Sequence, residues 1–433
     1  MARPIAYDLL RLMLGPMHET PRGIDRIDFG IASSLHTDWP EELNGVTLMP
    51  WGLRYFGRQK MAEAGDLLRT FWKERISPDD DPVYQRLRRF LMDPGHVSQL
   101  SPSHSPRWIK QLRGGARLMQ FMTHRGKWEL GKRVRTLPRN SLYLSIGHYG
   151  LGTPSLLSWL DDRLDIASIF MLHDVIPLEA PELVAPSSHR LHQRALETIL
   201  KRGKALIAPS EAAKQAILAE LRRRGAPELP IHAVSSPVDE AFMLPVQPDA
   251  ALATRPYFVI CGAIEARKNH LLLLDLWRDL VLHHGRSAPA LVIIGAPGFG
   301  YEAVRSYIDQ CEPLRGFVHV SIGLSTPALC TVMATARALL MPSFAEGFGL
   351  PPVEALTLGT PVLLSDIPAH RESADDFGVF LDPTDGPGWR HQIEAMINDT
   401  SDYMTLRART ATFRPKTWKQ YMSEIQDILL SYG

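Results

Sequence analysis

The sequence has few cysteines, no long apolar run and almost no net charge. Its three cysteines, Cys261, Cys311 and Cys330, are an odd number without close metal-binding spacing. This pattern excludes a disulfide framework and a cysteine-based zinc site, and it indicates a reducing compartment. No run approaches the ~18 apolar residues that cross a bilayer. Asp8 and Arg11 interrupt the N-terminal apolar stretch, which argues against a signal peptide. We therefore predict a cytoplasmic protein.

The charge balance also limits the partners. There are 48 Lys and Arg against 47 Asp and Glu, so the net charge of +1 creates no overall attraction for nucleic acid. A hydrophobic content of 45% and a charged content of 22% are ordinary for a globular protein. The 433 residues suffice for two or three domains with sizeable cores. No nucleic-acid partner is predicted.

Residues 341–372 carry the strongest chemical signal. MPSFAEGFGLPPVEALTLGTPVLLSDIPAHRE reads as a strand, a turn, a short helix and a second strand. Pro351 suits the first turn of that helix, where its missing N–H costs nothing. Parallel strand–helix–strand units bind ligands at the carboxyl ends of their strands. The backbone amides of Phe348, Gly349 and Leu350 are therefore predicted to meet phosphate at the positive end of a helix dipole.

Two carboxylates bracket this turn. Glu346 lies in the loop and Glu354 in the first turn of the predicted helix, so the two can reach different parts of one ligand. An ordinary crossover with two solvated acids is the alternative. It leaves unexplained why Gly, Phe, Gly and two prolines all fall between the acids. The stretch indicates a nucleotide-sugar site.

The string EGFGLPPVEA strongly resembles the signature of the family 4 retaining glycosyltransferases. The resemblance is strong from about residue 166 to 400 and weak before that. It implies an α/β fold of the GT-B type, in which two Rossmann-like domains face each other across a cleft. It also implies that Glu354 holds the ribose hydroxyls of the donor, that Glu346 lies beside the transferred sugar, and that the intervening amides take the diphosphate.

Two further strings resemble elements of this family. FMLHDVIPLEAPE ends a buried strand at His173, which the resemblance places in the catalytic cleft; a structural histidine is the alternative. CGAIEARKNH places Arg267 and Lys268 where relatives carry cations for the donor diphosphate. A solvated Arg-Lys pair that opens a helix is the alternative. The predicted catalytic residues are His173, Glu346 and Lys268. The predicted donor-binding residues are Arg267, Lys268, Phe348, Gly349, Leu350 and Glu354.

The sequence signal for acceptor-binding residues is weaker than that for donor-binding residues. PRGIDRIDFG has a glycine turn that leads into a helical pattern, and it resembles the acceptor loop of the family. Many relatives have two glycines there, whereas this chain has Arg22-Gly23. The predicted acceptor-binding residues are Arg22, Gly23 and Ile24, with a plain turn as the alternative.

Three domain limits follow from the same resemblance and from a linker rich in Pro, Ala and Asp at residues 244–255. We predict an N-terminal acceptor-binding Rossmann-like domain over residues 1–245. A nucleotide-sugar-binding Rossmann-like domain is predicted over 252–410. A C-terminal helix over 414–433 should cross back to the N-terminal domain.

A metal site is not predicted. Asp79, Asp80 and Asp81 satisfy the DxD pattern of metal-dependent GT-A transferases, but they stand between two prolines with no apolar strand before them. A solvated loop is the better interpretation. We predict no cofactor, with the nucleotide sugar as a co-substrate.

Residues 107–139 are strongly basic. They contain ten Lys and Arg against a single acid, Glu129, with aromatic and aliphatic residues between them. On a helix this composition suits peripheral contact with an anionic membrane at its inner face. A solvated amphipathic face is the alternative, and RNA is not favoured because no RNA-binding signature is present.

Together these features predict a retaining hexosyltransferase. It should move a hexose from a nucleoside-diphosphate sugar to a glycan or lipid-linked glycan, as in surface polysaccharide synthesis. GDP-mannose is the favoured donor because the strings resemble mannosyltransferases. A GT-B epimerase that turns over the donor alone, and a non-catalytic sugar-binding scaffold, are the alternatives. The presence of both Glu346 and Glu354 argues against the scaffold.

Overall fold

The computed structural model describes residues 2–17, 20–21, 23–49, 51–72, 76–93, 131–247 and 249–433. The strands in these ranges are β1 Ile5–Asp8, β2 Leu43–Met49, β3 Gly52–Gly57, β4 Lys132–Arg133, β5 Leu142–Ser145, β6 Ala167–Met171, β7 Gly203–Ala208, β8 Ile231–Ala233, β9 Tyr257–Cys261, β10 Ala290–Ile294, β11 Val318–Ser321, β12 Leu339–Met341, β13 Val362–Ser365 and β14 Gly378–Leu381.

The helices in the same ranges are α1 Leu10–Leu14, α2 Gly23–Asp38, α3 Arg58–Phe71, α4 Pro82–Met92, α5 Ile176–Glu179, α6 Pro186–Arg202, α7 Glu211–Arg223, α8 His270–His284, α9 Tyr301–Gln310, α10 Thr326–Thr335, α11 Leu350–Thr357, α12 Pro368–Ala374, α13 Gly386–Ile397, α14 Ser401–Thr410 and α15 Trp418–Ser431.

The first sheet has the strand order β4-β3-β2-β1-β5-β6-β7-β8. Strand β3 runs antiparallel to both β2 and β4, and the remaining neighbours are parallel. The chain adds β2 on one side of β1 and β5 on the other. Ligands of open parallel sheets bind where the order reverses in this way, at the carboxyl ends of the strands. The crevice of this sheet is therefore expected beside Asp8 and Ser145.

The second sheet is parallel throughout, with the order β11-β10-β9-β12-β13-β14. Renumbered within the sheet this order is 3-2-1-4-5-6, that of a dinucleotide-binding Rossmann sheet. Strands β9 and β10 are apolar and buried along their whole length, as expected where helices cover both faces. The reversal lies between β9 and β12, which places a ligand crevice beside the turns after Cys261 and Met341.

One helix passes from the second sheet to the first. Helix α15 begins with a capping box, in which Thr417 and Gln420 satisfy each other's backbone N–H groups. Its side chains Tyr421, Ile425 and Leu429 are buried in the core of the first sheet. The C-terminal helix thus joins the two halves by burying apolar area on the first sheet.

Helix α4 crosses in the opposite direction. Tyr84, Leu87 and Phe90 are buried in the core of the second sheet, although residues 82–92 precede most strands of the first. The predicted domain of residues 1–245 is therefore wrong for this helix. The pattern of alternating apolar and charged residues along it predicts one buried face but not which core buries that face.

The predicted solvated loop at Asp79–Asp81 is wrong at its last residue. Asp79 and Asp80 are exposed, but Asp81 is only 1% exposed. Its Oδ1 caps α4 by accepting from Val83 N at 2.8 Å, and its Oδ2 accepts from Ser325 N at 2.7 Å. Asp81 therefore fixes the start of α4 to the segment before α10.

Two predictions fall outside the described residues, at Arg22 and over most of the basic segment 107–139. Of that segment the structure describes residues 131–139, where Lys132 and Arg133 are exposed and pair with β3 as a strand instead of a helix. Within the described ranges, no helix is long and apolar enough to cross a membrane.

Candidate active site

Two turns meet at the crevice of the second sheet. Strand β9 leads into a 3₁₀ turn, Ala266–Lys268, and β12 leads into the loop that carries Glu346. These strands are neighbours in the sheet, so the turns that follow them lie side by side. The ammonium of Lys268 lies 2.5 Å from Glu346 Oε1 as a result. The order of the strands thus brings together two residues that are 78 positions apart.

Glu346 is an ionised carboxylate inside the protein. Its side chain is 6% exposed and it accepts from Lys268, from Arg267 at 2.7 Å and from Ser343 at 2.8 Å. Burial alone would raise the pKa of Glu346, but Lys268 and Arg267 together hold it well below its usual range. Three donors therefore keep this carboxylate charged and fixed in orientation.

The two cations differ in their surroundings. Burial lowers the pKa of Lys268 and Glu346 opposes that change, while Arg267 also repels the charge. The guanidinium of Arg267 is held between Glu265 and Glu346, whose charges outweigh burial and raise its pKa. The side chain of Lys268 is 6% exposed against 20% for Arg267. Lys268 is therefore the deeper cation, where a charge interacts most strongly with a ligand.

The predicted phosphate-binding turn has the expected geometry. Gly349 adopts a φ of +91°, which favours glycine, and helix α11 begins at the next residue with Pro351 in its first turn. A Cβ on Gly347 would lie 2.4 Å from the carbonyl oxygen of His173, so only glycine fits there. The prediction that Glu354 lies in the first helical turn is wrong, because it is the fifth residue of α11 and lies in the second turn.

Glu354 meets the first sheet across the crevice. Its Oε1 accepts from Arg26 Nη1 of α2 at 2.9 Å, and both side chains are largely buried. Burial raises the pKa of Glu354, Arg26 lowers it, and Asp239 adds a further rise. The contact between Arg26 and Glu354 has no counterpart in any sequence pattern, since 328 residues separate the two.

His173 lies at the end of the first sheet's β6 and faces the donor loop. Its Nε2 is 2.9 Å from the carbonyl oxygen of Ile146, and burial lowers the pKa of His173 to about 4 although that carbonyl opposes the change. The imidazole is therefore neutral near pH 7 and acts as a hydrogen-bonding group. The structure brings the backbone of His173 beside Gly347, and the catalytic role of His173 stays a prediction.

Direct bonds join the two sheets around this loop. Ser210 caps α7 by accepting from Ala213 N, and its hydroxyl also donates to the carbonyl oxygen of Gly347 at 2.6 Å. Glu372 of α12 accepts from Glu211 N and Ala212 N at 2.8 Å each. A carboxylate at this helix N-terminus is stabilised by the helix dipole. The carboxyl ends of the two sheets thus face each other across one crevice.

The predicted acceptor loop lies against the donor helix. Gly23 and Ile24 open α2, and a Cβ on Gly23 would lie 3.0 Å from Leu350 Cδ1.

The reversal point of the first sheet presents residues that the sequence analysis missed. Arg11 pairs with Asp25 at 2.6 Å and lies 5.6 Å from the centre of the Tyr149 ring, which is 52% exposed. The turn-like Gly147–Gly150 after β5 was the signal that could have found Tyr149.

Over the ranges that the structure describes, no group of three or more His, Cys, Asp or Glu is arranged to hold a metal ion. The carboxylates of the crevice, Glu346 and Glu354, are each paired with arginine, and Glu346 also with lysine. Cations thus occupy the positions next to these carboxylates.

Two Rossmann-like sheets whose carboxyl ends share one crevice define the GT-B class of protein. Residues 247–412 match the family model described as glycosyl transferases group 1. The sucrose-phosphate synthase of Thermosynechococcus elongatus has the same fold, with a TM-score of 0.61 and 14% identity over 100% of both chains. The predicted resemblance to family 4 glycosyltransferases and the GT-B fold are confirmed.

Two curated relatives are mannosyltransferases of Escherichia coli. The serotype-specific mannosyltransferase WbdA is 28% identical over 248 residues, which are 53% of this chain and 30% of the relative. The O-antigen chain mannosyltransferase B is 27% identical over 247 residues, which are 56% of this chain and 64% of the relative. The chain thus spans less than two thirds of the length of either relative.

Proposed function

We propose that this protein is a retaining glycosyltransferase that moves a hexose from a nucleoside-diphosphate sugar to a glycan acceptor. The observation that carries the proposal is the buried cluster of Lys268, Arg267 and Glu346 beside the N-terminus of α11. This arrangement offers fixed positive charge and backbone N–H groups to a diphosphate, next to a fixed carboxylate for the sugar.

The cluster favours displacement at one face of the sugar. The bond from the anomeric carbon to the diphosphate oxygen breaks as the acceptor oxygen bonds to the same face, and the acceptor proton passes to the leaving diphosphate. Lys268 and the amides of residues 348–350 stabilise the negative charge on that group. Glu346 is held by three donors and serves to position the sugar, so no covalent glycosyl-enzyme is required.

Mannose is the proposed sugar and GDP-mannose the proposed donor. The support is the similarity to two mannosyltransferases, one of which is described as acting on the O-antigen chain. A growing surface polysaccharide, free or linked to lipid, is the matching acceptor. The exposed ring of Tyr149 beside Arg11 offers it an apolar face and a cation at the crevice of the first sheet.

The experiment that tests this function is a panel of nucleotide sugars, with and without glycan acceptors. We expect release of GDP from GDP-mannose only when an acceptor is present, and an α-linked product by NMR. Turnover of the donor alone would indicate an epimerase, and binding without turnover a scaffold.

We further propose that no metal or cofactor takes part. EDTA should therefore leave most activity intact, and strict dependence on Mg²⁺ or Mn²⁺ would contradict this mechanism.

We also propose that the basic segment 107–139 holds the enzyme at the inner face of an anionic membrane. Each Lys or Arg near such a surface contributes about 1 kcal/mol, which salt screens. The purified protein should float with anionic liposomes in low salt and dissociate in high salt. Changing Arg113, Arg117 and Arg125 together to Glu should abolish flotation.

The matched control for this flotation experiment changes three exposed arginines near the C-terminus, Arg407, Arg409 and Arg414, to Glu. The control variant has the same change in net charge and should float as the wild type does. Equal flotation of the two triple variants would show that the basic segment does not bind the membrane. Turnover on a soluble acceptor should stay unchanged in both.

A further inference from the structure

Arg26 reaches from the first half of the molecule into the predicted donor site of the second. It is the fourth residue of α2, and its Nη1 donates to Glu354 Oε1 on α11 at 2.9 Å. The side chains of Arg26 and Glu354 are 13% and 6% exposed. An ion pair with so little solvent around it is strong when its geometry is maintained, and its loss leaves a buried charge without compensation.

The guanidinium of Arg26 is held from two further sides. Its Nη2 lies 3.5 Å from the hydroxyl oxygen of Thr326, the first residue of α10, and its carbon lies 5.5 Å from the centre of the Phe242 ring. The planar guanidinium is thus oriented by groups from three separate elements. The hydrogen bond from Arg26 Nη1 goes to Oε1 of Glu354, so Arg26 engages one oxygen of the carboxylate.

The charge of Glu354 depends on this contact. The titratable groups that interact electrostatically with the carboxylate are Arg26, Asp239, Cys261 and Cys330. Burial and Asp239 raise the pKa of Glu354, and Arg26 opposes them. Burial raises the pKa of each cysteine to about 12, so both thiols are neutral near pH 7. Arg26 is therefore the cation that favours the ionised form, which accepts two hydroxyl hydrogen bonds better than the protonated acid.

We propose that Arg26 is a positioning residue for the donor: it holds Oε1 of Glu354 so that Oε2 accepts from the ribose hydroxyls of a nucleoside diphosphate. This inference rests on the proposed function, because it takes the ribose as the ligand of Glu354. It makes donor affinity a property of both halves of the molecule. Helix α2 also begins at Gly23 in the predicted acceptor loop, so one helix connects donor recognition with the acceptor side.

The test combines a protein variant with a ligand variant. Binding of GDP and UDP, and of their 2′,3′-dideoxy analogues, is measured by calorimetry on the wild type, Arg26→Ala and Arg26→Lys. We expect Arg26→Ala to weaken binding of the preferred ribonucleotide about tenfold, and to change binding of its dideoxy analogue less than about twofold. Arg26→Lys should restore part of the loss. The control Arg69→Ala removes an exposed arginine of α3 and should bind as the wild type does.

A pH series separates positioning from a general loss of structure. Without Arg26 the pKa of Glu354 rises further, so the carboxylate ionises only at higher pH. The affinity of Arg26→Ala for the ribonucleotide should therefore increase with pH more steeply than that of the wild type, with the rise displaced to higher pH. The dideoxy analogue should show no such dependence with either protein.

Any of four outcomes would overturn the proposal. Equal losses for the ribonucleotide and the dideoxy analogue would show that Arg26 acts only on the structure of the site. Tighter binding by Arg26→Ala would show that Arg26 competes with the donor for Glu354. Failure of the wild type to bind either nucleotide would overturn the proposed function itself, and the role of Arg26 with it. Binding of both nucleotides by Arg26→Ala as tightly as by the wild type would overturn the role of Arg26 alone.

Discussion

Replacing Lys268 by Ala should lower kcat/KM for the donor by about ten- to a hundredfold. The ammonium is almost fully buried beside the turn that should take the diphosphate, and a charge-assisted contact there is worth about 1.5–3 kcal/mol. In the proposed reaction the charge on the leaving diphosphate grows during bond cleavage, so the loss should fall mainly on turnover. Steady-state kinetics with GDP-mannose and a glycan acceptor measure this effect.

Lys204→Ala is the matched control for Lys268→Ala. Lys204 is exposed near the start of β7, at the end of the strand opposite the crevice. This variant should keep the activity of the wild type. Melting curves of both variants check that the fold is intact. We expect an intact fold for Lys268→Ala, because Glu346 stays paired with Arg267 and Ser343. Activity of Lys268→Ala within a factor of about two of the wild type would remove Lys268 from the site.

Asp81→Ala should destabilise the protein by about 2–4 kcal/mol. The substitution removes the cap of α4 and leaves the buried N–H groups of Val83 and Ser325 without a partner. A lost cap costs about 1 kcal/mol, and each buried unsatisfied donor about 1–3 kcal/mol. Urea unfolding followed by circular dichroism should show the earlier transition.

Asp79→Ala and Asp80→Ala are the controls for Asp81→Ala, because both side chains are exposed. Each should change stability by less than about 0.5 kcal/mol. Asp81→Asn keeps an acceptor oxygen for the helix cap and should lie between the wild type and Asp81→Ala. If all three alanine variants unfolded together with the wild type, the contact from Asp81 to Ser325 would not stabilise the second core.

Much of the candidate site is predictable because its residues follow strands. Glu346 and Lys268 each come after a buried apolar strand, and His173 ends another. Parallel strands gather Lys268 and Glu346 at one edge of the second sheet, so their strings predict that these two meet. His173 belongs to the first sheet, and only the family resemblance implies that it faces them. The first residue of α11 was less predictable, because the turn at Gly349 allows the helix to begin a few residues earlier or later. Glu354 therefore lies in the second turn of α11 instead of the first.

The acceptor side was harder to predict, since its residues come from separate loops. In the sequence analysis, only the turn at Gly23 and Ile24 resembles the acceptor loop of the family. The structure places Gly23 against Leu350 of α11. Tyr149 and Arg11 lie at the reversal point of the first sheet. That point depends on β5 pairing with β1, across 137 residues, which no local pattern specifies.

Local chemistry is enough to establish the strand ends, the glycine turn before α11, the cap at Ser210 and the acids on either side of the turn. These features depend on the backbone preferences of residues a few positions apart. The contacts of Arg26 with Glu354 and of Asp81 with Ser325 join residues more than 240 positions apart, and α4 packs on β11, which begins more than 220 positions after α4 ends. Only the tertiary structure decides these, because burial and pairing of a side chain depend on which distant surface covers it.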